Sequence, residues 1–112
     1  DGLSITNLKV EPDAQNAEIR YRMLLTQGGQ RRADFKGRVQ LMVRALKNGE
    51  TLNLTFPEDT KNPANNGEVD FKYYQKVEGR FKLPEGAQLK SVQVRVFGAQ
   101  GNEVRATKAI TF

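Results

Sequence analysis

The 112-residue chain is predicted to form an all-β, antiparallel β-sandwich, immunoglobulin-like in the broad sense, with about seven strands. Three observations predict it. From Val69 to Leu83, odd positions hold Val69, Phe71, Tyr73, Gln75, Val77, Gly79, Phe81 and Leu83. Even positions hold Asp70, Lys72, Tyr74, Lys76, Glu78, Arg80 and Lys82. Such a period of two marks strand with one face buried and one wet. Further short apolar alternations follow one another along the chain, each bounded by Gly, Asn, Asp or Pro turn signals. No amphipathic helix, heptad, internal repeat or low-complexity tail interrupts them. A small closed barrel satisfies the same pattern, and the Cys-Trp-Cys hallmark of true immunoglobulin domains is absent.

The first predicted strand is Leu3 to Val10. Its apolar positions switch from odd (Leu3, Ile5) to even (Leu8, Val10), which calls for a bulge near Asn7. After a turn at residues 11–16, Ala17 to Thr26 buries Ile19, Tyr21, Met23 and Leu25 and turns Glu18, Arg20 and Arg22 outward. Gln27-Gly28-Gly29-Gln30-Arg31-Arg32 reads as a flexible connection in which Gly-Gly favours a hairpin. Phe35 to Leu46 follows, with Val39, Leu41, Val43 and Ala45 inward. Asn48-Gly49 is the strongest hairpin signal, because both residues tolerate positive φ. It leads into Thr51 to Phe56, where Leu52, Leu54 and Phe56 alternate with Thr and Asn.

Residues 57–67 form the longest loop. The fifteen-residue alternation beyond it would span ~50 Å if straight, against a radius of gyration of ~13 Å for a domain of this size. It is therefore expected to bend or break near Gly79, passing from one sheet to the other. Pro84-Glu85-Gly86 turns the chain into a strand defined by Val92, Val94 and Val96, and residues 98–102 turn it back into Val104 to Phe112. There Ala106, Ile110 and Phe112 point inward, and Lys108, a charge in the same register, is expected near an edge.

A chain of this length suits one domain, which buries roughly 65% of its unfolded surface and needs no disulfide or metal to fold. Apolar residues make up 38% and charged residues 28%, an ordinary globular balance. No apolar run approaches the roughly 20 residues needed to cross a bilayer. The chain begins at Asp1 rather than Met, as expected of a trimmed fragment or a mature domain from which any targeting or membrane segment has been removed. It has no Cys, which excludes disulfides and thiol chemistry, and no His, which removes the commonest general base and metal ligand.

Lys and Arg total 18 against 13 Asp and Glu, a net charge of +5. Glu11, Asp13, Asp34, Glu50, Glu58, Asp59, Glu85 and Glu103 fall in predicted turns. Arg20, Arg22, Lys36, Arg38, Arg44, Lys72, Lys76, Arg80 and Lys82 fall at outward strand positions. The expected result is a basic sheet face ringed by acidic loops. Lys and Arg on strands also keep sheets soluble and edges from pairing, and that plain role accounts for the same pattern.

The segment Phe71-Lys72-Tyr73-Tyr74-Gln75, then Glu78-Gly79, Leu83-Pro84-Glu85-Gly86 and Val92-Gln93-Val94, resembles the C-terminal domain of an uncharacterised family of proteobacterial envelope proteins. In that family an N-terminal transmembrane helix and a coiled coil precede the β domain. Here Ala87-Gln88-Leu89 replaces the aromatic and Pro usual after the last Gly, and the terminal Trp is missing. The resemblance implies a periplasmic domain tethered to the inner membrane, non-enzymatic in role, and it carries no site residues with it.

No catalytic, cofactor-binding or metal-ligating residue is assigned. Ser4 and Ser91, the only serines, lack a nucleophile-elbow context and a His to activate them. Glu78 lies between Lys76 and Arg80, and ion pairing across the sheet accounts for it more economically than glycosidase chemistry does. The loop at residues 58–68 offers oxygen ligands suited to calcium, but its spacing is not that of an EF-hand and any turn demands the same residues. The expected interaction surface consists of Lys72, Tyr74, Lys76 and Arg80 with Arg31 and Arg32. An unidentified protein partner of acidic character, or an anionic surface, fits it. An oligosaccharide or nucleic acid on the sheet face is the alternative, although one exposed Tyr and no Trp supply little stacking. Leu24, Met42 and Leu46 interrupt polar faces and are expected to pack under a loop or second sheet, or to form a small apolar docking patch.

Overall fold

The computed structural model describes residues 2–13, 18–29, 33–57, 67–99 and 103–112. Among them the chain forms eight strands: β1 (Leu3–Asp13), β2 (Glu18–Gln27), β3 (Phe35–Lys47), β4 (Glu50–Phe56), β5 (Glu68–Phe71), β6 (Tyr74–Lys82), β7 (Gln88–Gly98) and β8 (Val104–Thr111). All pairings are antiparallel. One sheet has the order β1-β2-β6; the other has β4-β3-β7-β8, with β5 also pairing β3. This is a two-layer sandwich of immunoglobulin-like connectivity, as the alternation predicts.

Each inner face follows from its strand's period. Ile19, Met23 and Leu25 of β2 and Phe81 of β6 meet Val39, Leu41 and Val43 of β3 and Val92, Val94 and Val96 of β7 in one core cluster. The sandwich is fastened differently along its two sides. On one, Phe56 of β4 stacks on Phe81 of β6 at 4.8 Å between ring centroids. On the other, Lys108 of edge strand β8 donates from its amine to the Ile5 carbonyl of β1 at 3.4 Å, so the charge in the inward register does lie at an edge.

The bulge near Asn7 is present: Asn7 has φ 54° and the β1–β2 register shifts between Thr6 and Lys9. Asn48 and Gly49 both take positive φ, 51° and 80°, and Lys47 pairs with Glu50 to close the hairpin.

Several local expectations are corrected, among them Phe112, which is expected inward but lies beyond β8 and is half exposed. The 69–83 run breaks at Lys72-Tyr73, not at Gly79, and there the chain passes between sheets. The Gln27 side-chain amide donates to the Lys72 carbonyl at 3.0 Å, and the Gln27 backbone N–H donates to the Tyr73 carbonyl at 2.9 Å. Across the same break, the Asp70 N–H donates to the Gln75 side-chain oxygen at 3.1 Å. These bonds fix the turn and leave Tyr73, expected inward, 53% exposed. Gly79 stays within β6 because Tyr21, opposite it on β2, occupies the space of a side chain there. The Gly-Gly connection makes no hairpin: β2 and β3 lie in different sheets.

Candidate interaction surface

Strands β1, β2 and β6 place their outward residues in cross-strand rows. Thr6, Leu24 and Lys76 form one row, Lys9, Arg22 and Glu78 the next. Glu11, Arg20 and Arg80 follow, then Asp13, Glu18 and Lys82. The bulge at Asn7 brings Lys9 and Glu11 onto this face, since it switches the outward positions from even to odd after Thr6. Three rows set like charges directly opposite each other: two pairs of cations, Lys9 against Arg22 and Arg20 against Arg80, and one pair of carboxylates, Asp13 against Glu18. Such pairs destabilise a sheet by a few tenths to ~1 kcal/mol each.

Nearby carboxylates answer part of that charge. Arg80 Nη1 lies 3.6 Å from Glu18 Oε1, and Glu11 faces Arg20 while Glu78 faces Arg22. Between the side chains is a shallow depression of about 490 Å³ over the strand backbones. Its charged lining is Lys9, Arg20, Arg22 and Arg80 against Glu11 and Glu78, an excess of two positive charges. Glu11 and Asp13 are strand residues and not the loop acids expected, so the face mixes its charges rather than being ringed by them.

The expected surface residues are only partly brought together. Lys76 and Arg80 lie on this face, and Tyr74, 68% exposed, stands at its end opposite Thr26. Lys72 sits in the turn between β5 and β6, its amine 5.6 Å from the Tyr73 ring centroid. Arg31 and Arg32 lie outside the described residues. Basic residues also occur on the other sheet: Lys36 pairs in register with Asp70, Arg38 lies over the Phe97 ring at 4.7 Å, and Arg44 is exposed. Arg20, Arg22 and Lys9 extend the expected surface. Their outward parity is readable from sequence, but the β2–β6 pairing that sets Arg20 against Arg80 is not.

The apolar trio does not form one patch. Leu24 lies on the outer face of the three-stranded sheet, Met42 and Leu46 on that of the other, and all three are half-buried. The proposed calcium loop lies outside the described residues except for Gly67 and Glu68. Among the described residues, no group of three or more Asp and Glu is placed to hold a metal ion.

A model for a family of unknown function, DUF6776, matches residues 1–94. No curated protein matches the chain. The chain belongs to that family of unknown function.

Proposed function

We propose that this member of the family is a non-enzymatic interaction module of a cell-envelope protein. In this reading it is periplasmic, tethered to the inner membrane by a segment N-terminal to the domain, and it contacts an acidic protein partner through the outer face of β1, β2 and β6. The envelope setting is supported by the resemblance of the 71–94 segment. A non-enzymatic role is supported by a sequence without His or Cys.

The observation that carries the reading is the pair of like-charge contacts around the depression. Arg20 against Arg80 and Lys9 against Arg22 repel within the free domain. A carboxylate-rich segment laid across the rows relieves that repulsion and accepts charge-assisted hydrogen bonds from three guanidinium groups.

The test titrates a fluorescent oligoglutamate peptide into the domain at low and high salt and follows anisotropy. Arg20→Gln with Arg80→Gln is expected to weaken binding about tenfold, equivalent to ~1.4 kcal/mol, and salt to weaken it further. Lys36→Gln with Arg44→Gln, on the other sheet, is expected to change it little. Equal losses from both double variants, or no binding at low salt, overturn the reading. A single-stranded oligonucleotide run in parallel decides the alternative, which the two exposed tyrosines, Tyr73 and Tyr74, favour more than the sequence does.

A further inference from the structure

Strand β4 ends the four-strand path of the larger sheet, and among the described residues nothing pairs with its outer edge. The other terminal strands are guarded. β1 carries Lys9, Glu11, Pro12, Asp13 and a bulge. β6 carries Lys76, Glu78, Arg80 and Lys82, and β8 carries Arg105 and Lys108. β4 has a single charge, Glu50 beside the hairpin, and from Thr51 to Phe56 it has no charge, no Pro and no register shift. An uncharged, regular edge is a template for a further strand.

The inner side of β4 is incomplete in the same sense. Ala45 and Val43, its neighbours on β3, are fully buried, whereas Leu52 and Leu54 opposite them are only half-buried. The larger sheet has four strands on its path and the smaller has three. β1 is fastened to β8 through Lys108 and β4 to β6 through Phe56 on Phe81, yet Leu52 and Leu54 keep part of their surface exposed. A fifth strand beside it would cover both leucines.

The sequence of β4 says which strand fits. Thr51-Leu52-Asn53-Leu54-Thr55 reads the same in both directions. Antiparallel pairing with its own copy, centred on Asn53, sets Leu52 against the second copy's Leu54 and Thr51 against its Thr55. The two Asn53 amides then face each other across the two-fold axis. Every pair joins like faces, so the leucines of both copies line the inner side and Thr and Asn the outer. No charge is opposed to a like charge. We propose that two copies of this chain associate edge to edge through β4, about a two-fold axis at Asn53, giving one continuous sheet across the dimer. A self-complementary patch on a two-fold axis is the geometry of an isologous dimer.

The chain has no Cys, so a single introduced thiol reports the register. Residues facing each other in an antiparallel pair have Cα atoms ~4.5–5.5 Å apart, within disulfide range. Asn53→Cys is therefore expected to form a covalent dimer under mild oxidation. Thr51→Cys, displaced from its own copy by four residues or ~13 Å along the strand, is expected to do so at least tenfold more slowly. Asn53→Asp sets a carboxylate beside Arg44 within the chain and against its own copy across the axis. It is expected to keep the circular dichroism of the fold while raising the dimer dissociation constant about fivefold in sedimentation equilibrium. Wild-type protein that sediments as a monomer at its highest soluble concentration overturns the proposal. Equal cross-linking at positions 51 and 53, or a dimer indifferent to Asn53→Asp, overturns it as well.

Discussion

The pair Tyr21 and Gly79 shows how one residue's absence of a side chain sets another's chemistry. They face each other across β2 and β6 on the inner side, and a Cβ at 79 would collide with the Tyr21 hydroxyl and Cζ. The ring settles over the glycine and lies 6.2 Å from the Phe81 ring centroid. That burial raises the Tyr21 phenol above its ordinary value of 10.0, because the phenolate loses its hydration. The folded chain thus holds the Tyr21 proton more tightly than the unfolded chain does. The stability linked to it is complete below pH 10 and is lost as pH rises through the higher folded value. Tyr21→Phe cannot ionise, so its urea midpoint is expected to fall less than that of the wild type between pH 9 and pH 11. A parallel fall in both proteins would assign alkaline unfolding to other groups.

Among the elements, legibility followed whether the deciding contact was local. The β3–β4 hairpin depends on two adjacent residues tolerant of positive φ, and both are printed in the sequence as Asn48-Gly49. The bulge of β1 was readable for a similar reason, since a switch in apolar parity must be absorbed between Ile5 and Leu8. The break in the 69–83 run was not, because it is held by Gln27, far away in sequence. Alternation alone pointed to Gly79, the only glycine in the run, and missed that Tyr21 fills its space. The candidate site divides the same way: outward cations were visible strand by strand, while their rows required the pairing order. The bulge also gives β1 a prediction of its own. Asn7 sits in the left-handed region at φ 54°, which asparagine tolerates and a β-branched residue does not. Asn7→Val is expected to cost about 1–2 kcal/mol in urea denaturation, and Asn7→Gly to cost less or nothing. If both cost the same, the backbone conformation at residue 7 does not set the register of β1.

At the scale of the molecule, the asymmetry between the sheets organises both surfaces proposed here. The narrower sheet turns mixed charge outward, whereas the wider one ends in β4, uncharged from Thr51 to Phe56, so two kinds of contact are separated onto different sides of the sandwich. That arrangement depends on the sheets holding one relative position, and the core provides it. Leu25 on β2, the central strand of the narrower sheet, is fully buried, as are Val92, Val94 and Val96 on β7 of the wider one, and all four belong to one cluster. Neither sheet has an apolar core of its own, so both are expected to unfold together. Leu25→Ala removes three buried carbons at the layer between them and leaves a cavity, at an expected cost of about 2–5 kcal/mol. The loss should lower the thermal midpoint seen by far-ultraviolet circular dichroism and by tyrosine fluorescence equally, since Tyr21 reports the narrower sheet and the dichroism reports both. Two separated transitions in Leu25→Ala would mean that the wider sheet holds its fold alone. The rows of cations on β1, β2 and β6 would then form on a surface that can detach, and the two proposed contacts would act independently.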